Sequence, residues 1–131
     1  MTLFVDASAM VSMIAGESDG EVLAGAMRAD GDLLWSALSC WETTRALRRV
    51  KEASLEEARL EIELFAVTMR FRLVDIGEAE RAMALDAYQS YGRGRHKAKL
   101  NMGDCFAYAC AKANGAKLLY KGNDFSKTDL A

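Results

Sequence analysis

Four short apolar runs constrain this chain more than any other feature. Leu3-Phe4-Val5, Leu33-Leu34-Trp35, Phe71 to Ile76 and Leu118-Leu119-Tyr120 read as strands, and the segments between them carry helical periodicity. None of the runs is joined to the next by a hairpin signal. Strands connected through helices pair in parallel, because a parallel crossover needs a dozen or more residues. The first, second and fourth runs are continuously apolar, as in strands buried on both faces, whereas Phe71 to Ile76 alternates. The expectation is an α/β domain with a short, mainly parallel sheet between two helical layers. Such sheets collect ligand chemistry at the carboxyl ends of their strands.

Helices are expected from Ala7 to about Ile14, over 18–29, from Ser36 or Ser39 to about Val50, over 55–69, from Gly77 to about Tyr91, and from Gly103 to Asn114. The cleanest period lies in 55–69, where Leu55, Ala58, Ile62, Phe65, Ala66 and Met69 share one face. With 131 residues, no proline and no internal repeat, the chain reads as a single domain over 1–131. A hydrophobic fraction of 51% excludes a disordered chain. A net charge of -2 excludes a globally basic nucleic-acid glove but leaves room for a local patch. No apolar run approaches the roughly 18–20 residues that span a bilayer, and Asp6 breaks the only leader-like stretch. Three cysteines, Cys40, Cys105 and Cys110, without C-x-x-C spacing, point to reduced thiols and a cytoplasmic setting. The single histidine, His96, rules out a multi-histidine metal centre and argues against a histidine triad. Catalysis therefore falls to carboxylates.

Four acids stand out. Asp6 directly follows the first strand, and Asp124 lies just beyond the last. Helix capping and turn chemistry are their ordinary readings. Asp104 occupies the first turn of a helix that is apolar almost all round, so it is carried to the end of the sheet. Glu42 is mid-helix in line with Leu38 and Ala46, where its ordinary explanation is a salt bridge to Arg45 or Arg49. Converging acids repel by roughly 4 kcal/mol per pair at 4 Å and an effective dielectric near 20. They need protons or a cation, and oxygen-only ligands favour Mg2+ or Mn2+.

The segments LFVDASAMVSMI, SALSCWETTRAL, YGRGRHKAKLNMGDCFAYACAK and LLYKGNDFSKTDL occur in an order that bracket nearly the whole chain. Together they resemble a PIN-domain ribonuclease, in particular a VapC-type toxin of a toxin–antitoxin pair. The resemblance implies a three-layer α/β/α PIN-like domain and matches Asp6, Glu42, Asp104 and Asp124 to the family's acidic metal-binding quartet. By this match Asp6 and Asp104 are metal ligands, with Glu42 and Asp124 ligating directly or through water. It also implies cleavage of single-stranded RNA, dependence on Mg2+ or Mn2+, and inhibition by a cognate VapB-type antitoxin. A homodimer follows from the resemblance and from the apolar-rich helices.

The basic loop holding Arg93, Arg95, His96, Lys97 and Lys99 leads straight to Asp104 and is the expected seat of RNA phosphates. Its two glycines, Gly92 and Gly94, suggest mobility. Asn101 is placed to bind a phosphate or an outer water, or simply to cap a helix. Ser8, two residues after Asp6, is read chiefly as a first-turn helix serine, with a hydrogen bond to a carboxylate or a metal-bound water as the alternative. Arg45, Arg48, Arg49 and Lys51 form a second basic group, and Trp41, Tyr88 and Tyr91 are aromatics able to stack on bases or to fill core and interface. Two rivals remain. One is a receiver-like magnesium-binding domain built on Asp6, Asp75 and Lys121. The other is a non-catalytic module whose acids hold an antitoxin's arginines.

Overall fold

Alternate residues of the first strand point to opposite sides of the sheet, and each side has its own core. In the computed structural model, which describes residues 1–131 apart from the side chains of residues 29 and 30, strand β1 spans Thr2–Val5. Phe4 packs into one core and Leu3 and Val5 into the other. The chain continues through α1 (Ala7–Ile14), α2 (Gly20–Asp30), β2 (Asp32–Ser36), α3 (Ala37–Val50), α4 (Leu55–Thr68), β3 (Arg72–Val74), α5 (Glu78–Tyr91), α6 (Met102–Ala113) and β4 (Lys117–Leu119). The four strands are all parallel, in the order β3-β2-β1-β4. Leu3, Val5, Leu33 and Trp35 pack with residues of α1 to α4. Phe4, Leu34, Val74 and Leu118 pack with residues of α5 and α6. The expected three-layer arrangement is therefore the one observed.

The chain builds outward from β1 to β2 to β3, then crosses back to place β4 on the other side of β1. This reversal opens a crevice at the carboxyl ends of β1 and β4, where ligands of open α/β sheets bind. Asp6 N–H donates to Leu119 O at 2.9 Å, extending the β1–β4 pairing by one residue and fixing Asp6 at that crevice.

Helix starts are set by side chains that satisfy otherwise unpaired backbone amides. Ser36 caps α3 and shares a capping box with Ser39, so both candidate serines serve one helix start. Ser54 and Glu57 do the same for α4. On α4, Ala58, Ile62 and Ala66 are buried as expected, but Leu55 is 55% exposed because it sits in the first turn, beyond the neighbouring layer. Strand β3 is shorter than the 71–76 pattern suggests. Leu73 and Ile76 are exposed at this sheet edge and only Val74 is buried, so its outer residues gain no second packing layer. The three cysteines are free thiols. Among the described residues, no helix is long and apolar enough to cross a membrane.

Candidate active site

Three of the four singled-out acids approach one another from three elements. Asp6 ends β1 and caps α1, and it is almost fully buried. Its Oδ2 accepts from Ser8 N at 3.0 Å and from Ser8 Oγ at 2.6 Å. Ser8 Oγ in turn accepts from Lys121 N at 3.0 Å. Ser8 thus meets the Asp6 carboxylate, as one of its two sequence readings allows, and also ties the β1 acid to the segment after β4, a link that local spacing did not reveal.

Asp104 is buried in the first turn of α6, where it forms a reciprocal capping box with Asn101. Asn101 N donates to Asp104 Oδ2 at 3.1 Å, and Asp104 N to Asn101 Oδ1 at 2.9 Å. The capping reading of Asn101 is therefore realised, and its side-chain oxygen is occupied. Glu42 reaches the site from mid-α3. A Cβ on Gly103 would lie 2.0 Å from Glu42 Oε2, so the Glu42 carboxylate occupies space that only glycine leaves open. Gly103 escaped the sequence reading except as a helix start. Its signal was a glycine inside a first helical turn, where it costs up to about 1 kcal/mol relative to alanine.

The electrostatics agree with the geometry. Burial pushes the Asp6 carboxyl above its ordinary range, and the Asp124 charge adds to the rise. Burial, then Asp6 and Asp104, push Glu42 up to about 7. Burial raises Asp104 to about 6, reinforced by Asp6 and Asp124. Asp124 itself is exposed, in the turn region after β4, and acts on the cluster from its edge. Among the described residues, none of these four acids makes an ion pair, so the expected Glu42 bridge to Arg45 or Arg49 does not form. Arg45 near Glu42 and Arg93 near Asp104 only moderate the repulsion.

The donor set is all carboxylate oxygen, which suits a hard cation. Among the described residues, no three acidic, cysteine or histidine side chains stand close enough to enclose one ion directly. An ion that keeps several waters and takes few carboxylates fits this spacing better than a fully dehydrated one.

The basic loop is more ordered than its glycines suggest. A parallel bridge between Gly92 and Leu100 closes it, with Arg93 N donating to Leu100 O at 3.0 Å and Leu100 N to Tyr91 O at 2.9 Å. Ala98 N donates to His96 Nδ1, and Tyr91 packs edge-on against His96. Arg95 leans back over Tyr88, 5.1 Å from the ring centroid, and donates to Gln89 Oε1 at 3.1 Å. Arg93, Lys97 and Lys99 are exposed, and Arg93 is the loop cation whose charge reaches the acids. The receiver-like casting fails on position. Lys121 pairs with Glu17 and Asp19, and Asp75 follows the far edge strand, two strands from β1.

Four parallel strands between helical layers, with buried acids at the reversal of strand order, define a carboxylate-centred α/β/α domain. Residues 3–130 match the PIN domain family, and the chain belongs to it. Among curated relatives, ribonuclease VapC30 of Mycobacterium tuberculosis is 41% identical over 130 residues, covering 98% of this chain and 96% of the relative. Ribonuclease VapC of Mycolicibacterium smegmatis is 39% identical over 130 residues, with 98% of each chain covered. A VapC ribonuclease of Rhizobium meliloti is 40% identical over 139 residues, covering 97% of this chain and 98% of the relative. The solved structure of Mycobacterium tuberculosis VapC20, titled a sarcin-ricin loop cleaving toxin, shares the fold. Its TM-score is 0.74 at 16% identity, over 95% of this chain and 93% of that one.

Proposed function

We propose that this protein is a metal-dependent endoribonuclease that cuts single-stranded RNA as the toxin of a toxin–antitoxin pair, working in the cytoplasm. The observation that carries the reading is the unbalanced acid cluster: Asp6, Glu42 and Asp104 held together, largely buried, with no ion pair to any of them among the described residues. The full-length relatedness to VapC ribonucleases supports it.

In this reading Asp6 and Asp104 would hold Mg2+ or Mn2+, and Glu42 and Asp124 would bind it directly or through its waters. Bound there, the ion would supply Lewis-acid stabilisation of phosphodiester charge and a water of lowered pKa. Ser8 fixes the Asp6 carboxylate by two hydrogen bonds to Oδ2. The Asn101 capping box orients Asp104 in the same way. Arg93 lies near enough to Asp104 to meet an RNA phosphate arriving at the acids, with Lys97, Lys99 and the Asn101 amide along the same edge; Arg95 joins them only by leaving Tyr88. The partner is a VapB-type antitoxin that places an Arg or Lys against the acids, substituting for the ion's charge. Leu60, Leu64 and Val67 form an exposed stripe on α4, and with exposed Leu73 they support self-association as a homodimer.

Purified chain incubated with RNA should cleave with Mg2+ or Mn2+, stop with chelator, and fail to cleave as Asp6→Ala. In bacterial cells the wild type should arrest growth and Asp6→Ala should not. Equal toxicity of the two forms would overturn the ribonuclease reading in favour of a pure binding module.

A further inference from the structure

The acid cluster opens onto a groove that the loop at 93–99 does not explain. Ser8 and Val11 of α1 face Glu42, Arg45, Ala46 and Arg49 of α3 across a cleft of about 310 Å³. Glu42, Arg45 and Arg49 follow helical spacing, so the acid and the two cations lie along one stripe. With a rise of about 1.5 Å per residue, the stripe runs roughly 10 Å from the acid to the second arginine. That is the axial span of about three stacked nucleotides at ~3.4 Å each. Among the described residues, neither arginine is in an ion pair, whereas Lys51, two residues beyond Arg49, is bound to Glu61.

Trp41 lies beside this stripe, four residues before Arg45 on the same helix. It is 59% exposed, while Trp35, the other tryptophan, is buried. The Arg45 guanidinium lies 5.5 Å from the Trp41 ring centroid, one helical turn along. The opposite side of the same helix is fully committed, with Thr43 and Leu47 buried, so Trp41 contributes no core packing there. An exposed indole with Arg45 against one face, and two guanidiniums outside any ion pair among the described residues, combine a stacking surface with phosphate-binding cations, the pairing by which single strands are held.

We propose that the α1–α3 groove is the second arm of the RNA path. Arg45 and Arg49 bind phosphates on one side of the cleaved bond, and Trp41 stacks on the adjoining base, giving the enzyme a base preference at that position. Arg93 then meets the strand on the far side of the acids, so the RNA crosses the cluster between two cationic arms. The inference rests on the ribonuclease reading above and adds residues to it.

The test uses the full chain and a 12-nucleotide single-stranded RNA, with binding measured in chelator and cleavage in Mn2+. Trp41 fluorescence should quench on binding, and Trp41→Phe should remove the quench while keeping affinity within a few fold. Trp41→Ala should raise Kd and KM about tenfold, as expected for one lost base stack, and alter the preferred cleavage site. Arg45→Ala with Arg49→Ala should lower the slope of log K against log salt by about 1.4, or 0.7 per contact. Arg59→Ala, an exposed arginine of α4, should leave that slope unchanged. Trp41 is exposed, so its replacement does not threaten the core. Cleavage, site preference and salt slope that match wild type in both Trp41→Ala and the Arg45→Ala/Arg49→Ala double variant would overturn the proposal. So would variants that cut RNA normally yet escape antitoxin inhibition, since the groove would then be a protein-docking surface. A wild type that neither binds nor cuts RNA with any divalent ion while Asp6→Ala behaves identically would instead remove the ribonuclease reading beneath it.

Discussion

Two acidic regions of this molecule use the same side chain in opposite ways. Near the C-terminus, Asp129 accepts from Tyr108 Oη at 2.6 Å and pairs with Lys112, with Tyr91 Oη at 3.4 Å. Despite some desolvation, these partners hold its carboxyl below the usual range. At the carboxyl ends of β1 and β4 the acids have one another for neighbours, and Asp6, Glu42 and Asp104 are all shifted upward, chiefly by burial. The clasp around Asp129 is electrically complete and fastens the C-terminal turn to α5 and α6. The crevice is incomplete, and it stays so because Ser8, Asn101 and the surrounding fold hold the acids in place. A balanced acid serves stability. An unbalanced group held against repulsion is the pattern of a site awaiting an external charge.

The contrast can be broken most sharply by exchanging one acid from each region. Asp104→Asn should lower RNA cleavage on the order of a hundredfold or more, because several kcal/mol of metal-borne stabilisation is at stake and each 1.36 kcal/mol is tenfold. The same variant should melt higher than wild type without metal, and initial rates with a melting curve check both. If Asp129→Asn lost activity equally, the division of labour would collapse.

A smaller effect concerns pH. The folded values of Glu42 and Asp104, about 7 and about 6, lie above the ordinary 4.5 and 3.8. Below about pH 3 both groups are protonated whether folded or not. As pH rises from about 3 to 7 the unfolded chain ionises first, so metal-free stability falls, and above about pH 8 the penalty is complete. Metal-free Tm should therefore be higher at pH 5 than at pH 8, and Mn2+ at pH 8 should restore it. A Tm that rises with pH over this window would contradict the cluster.

Smaller again, Arg93→Ala should weaken RNA binding and lower the salt slope by about 0.7. Arg95→Ala should change it less, because Arg95 is spent on Tyr88 and Gln89. Equal slope changes would show that Arg95 leaves its partners for RNA. Smallest of all, Asp129→Asn should cost about 0.2–1 kcal/mol of stability, since its ion pair is partly solvated, with cleavage unchanged. Chemical denaturation read against the wild type checks it.

What could be read from the chain alone follows local physics. Short apolar runs and helical periods are local, so the sheet, the helices and the Asp6 and Asp104 caps were visible. Glu42 was visible because an acid in an apolar row needs a reason. The Ser8 bond to the Asp6 carboxylate was readable from their spacing, but its tie to Lys121 N, 113 residues away, was not. The order of the loop at 93–99 was hidden for a related reason. Its glycines look mobile in isolation, but the Gly92–Leu100 bridge and the Tyr91–His96 contact pin it to α5. Trp41 was ambiguous, since exposure is a property of the folded neighbourhood and not of a residue type.

The empty volume at Gly103 has a consequence for reading related chains. A single methyl group there would contest the position of Glu42 Oε2, and the flexible end of Glu42, rather than the backbone, would yield. The fold would survive, the formal charge would be unchanged, and every acid of the quartet would still be written in the sequence. An inventory of carboxylates would count such a chain as intact while its third acid had swung out of register. In this domain, activity is encoded partly by an atom that must be missing.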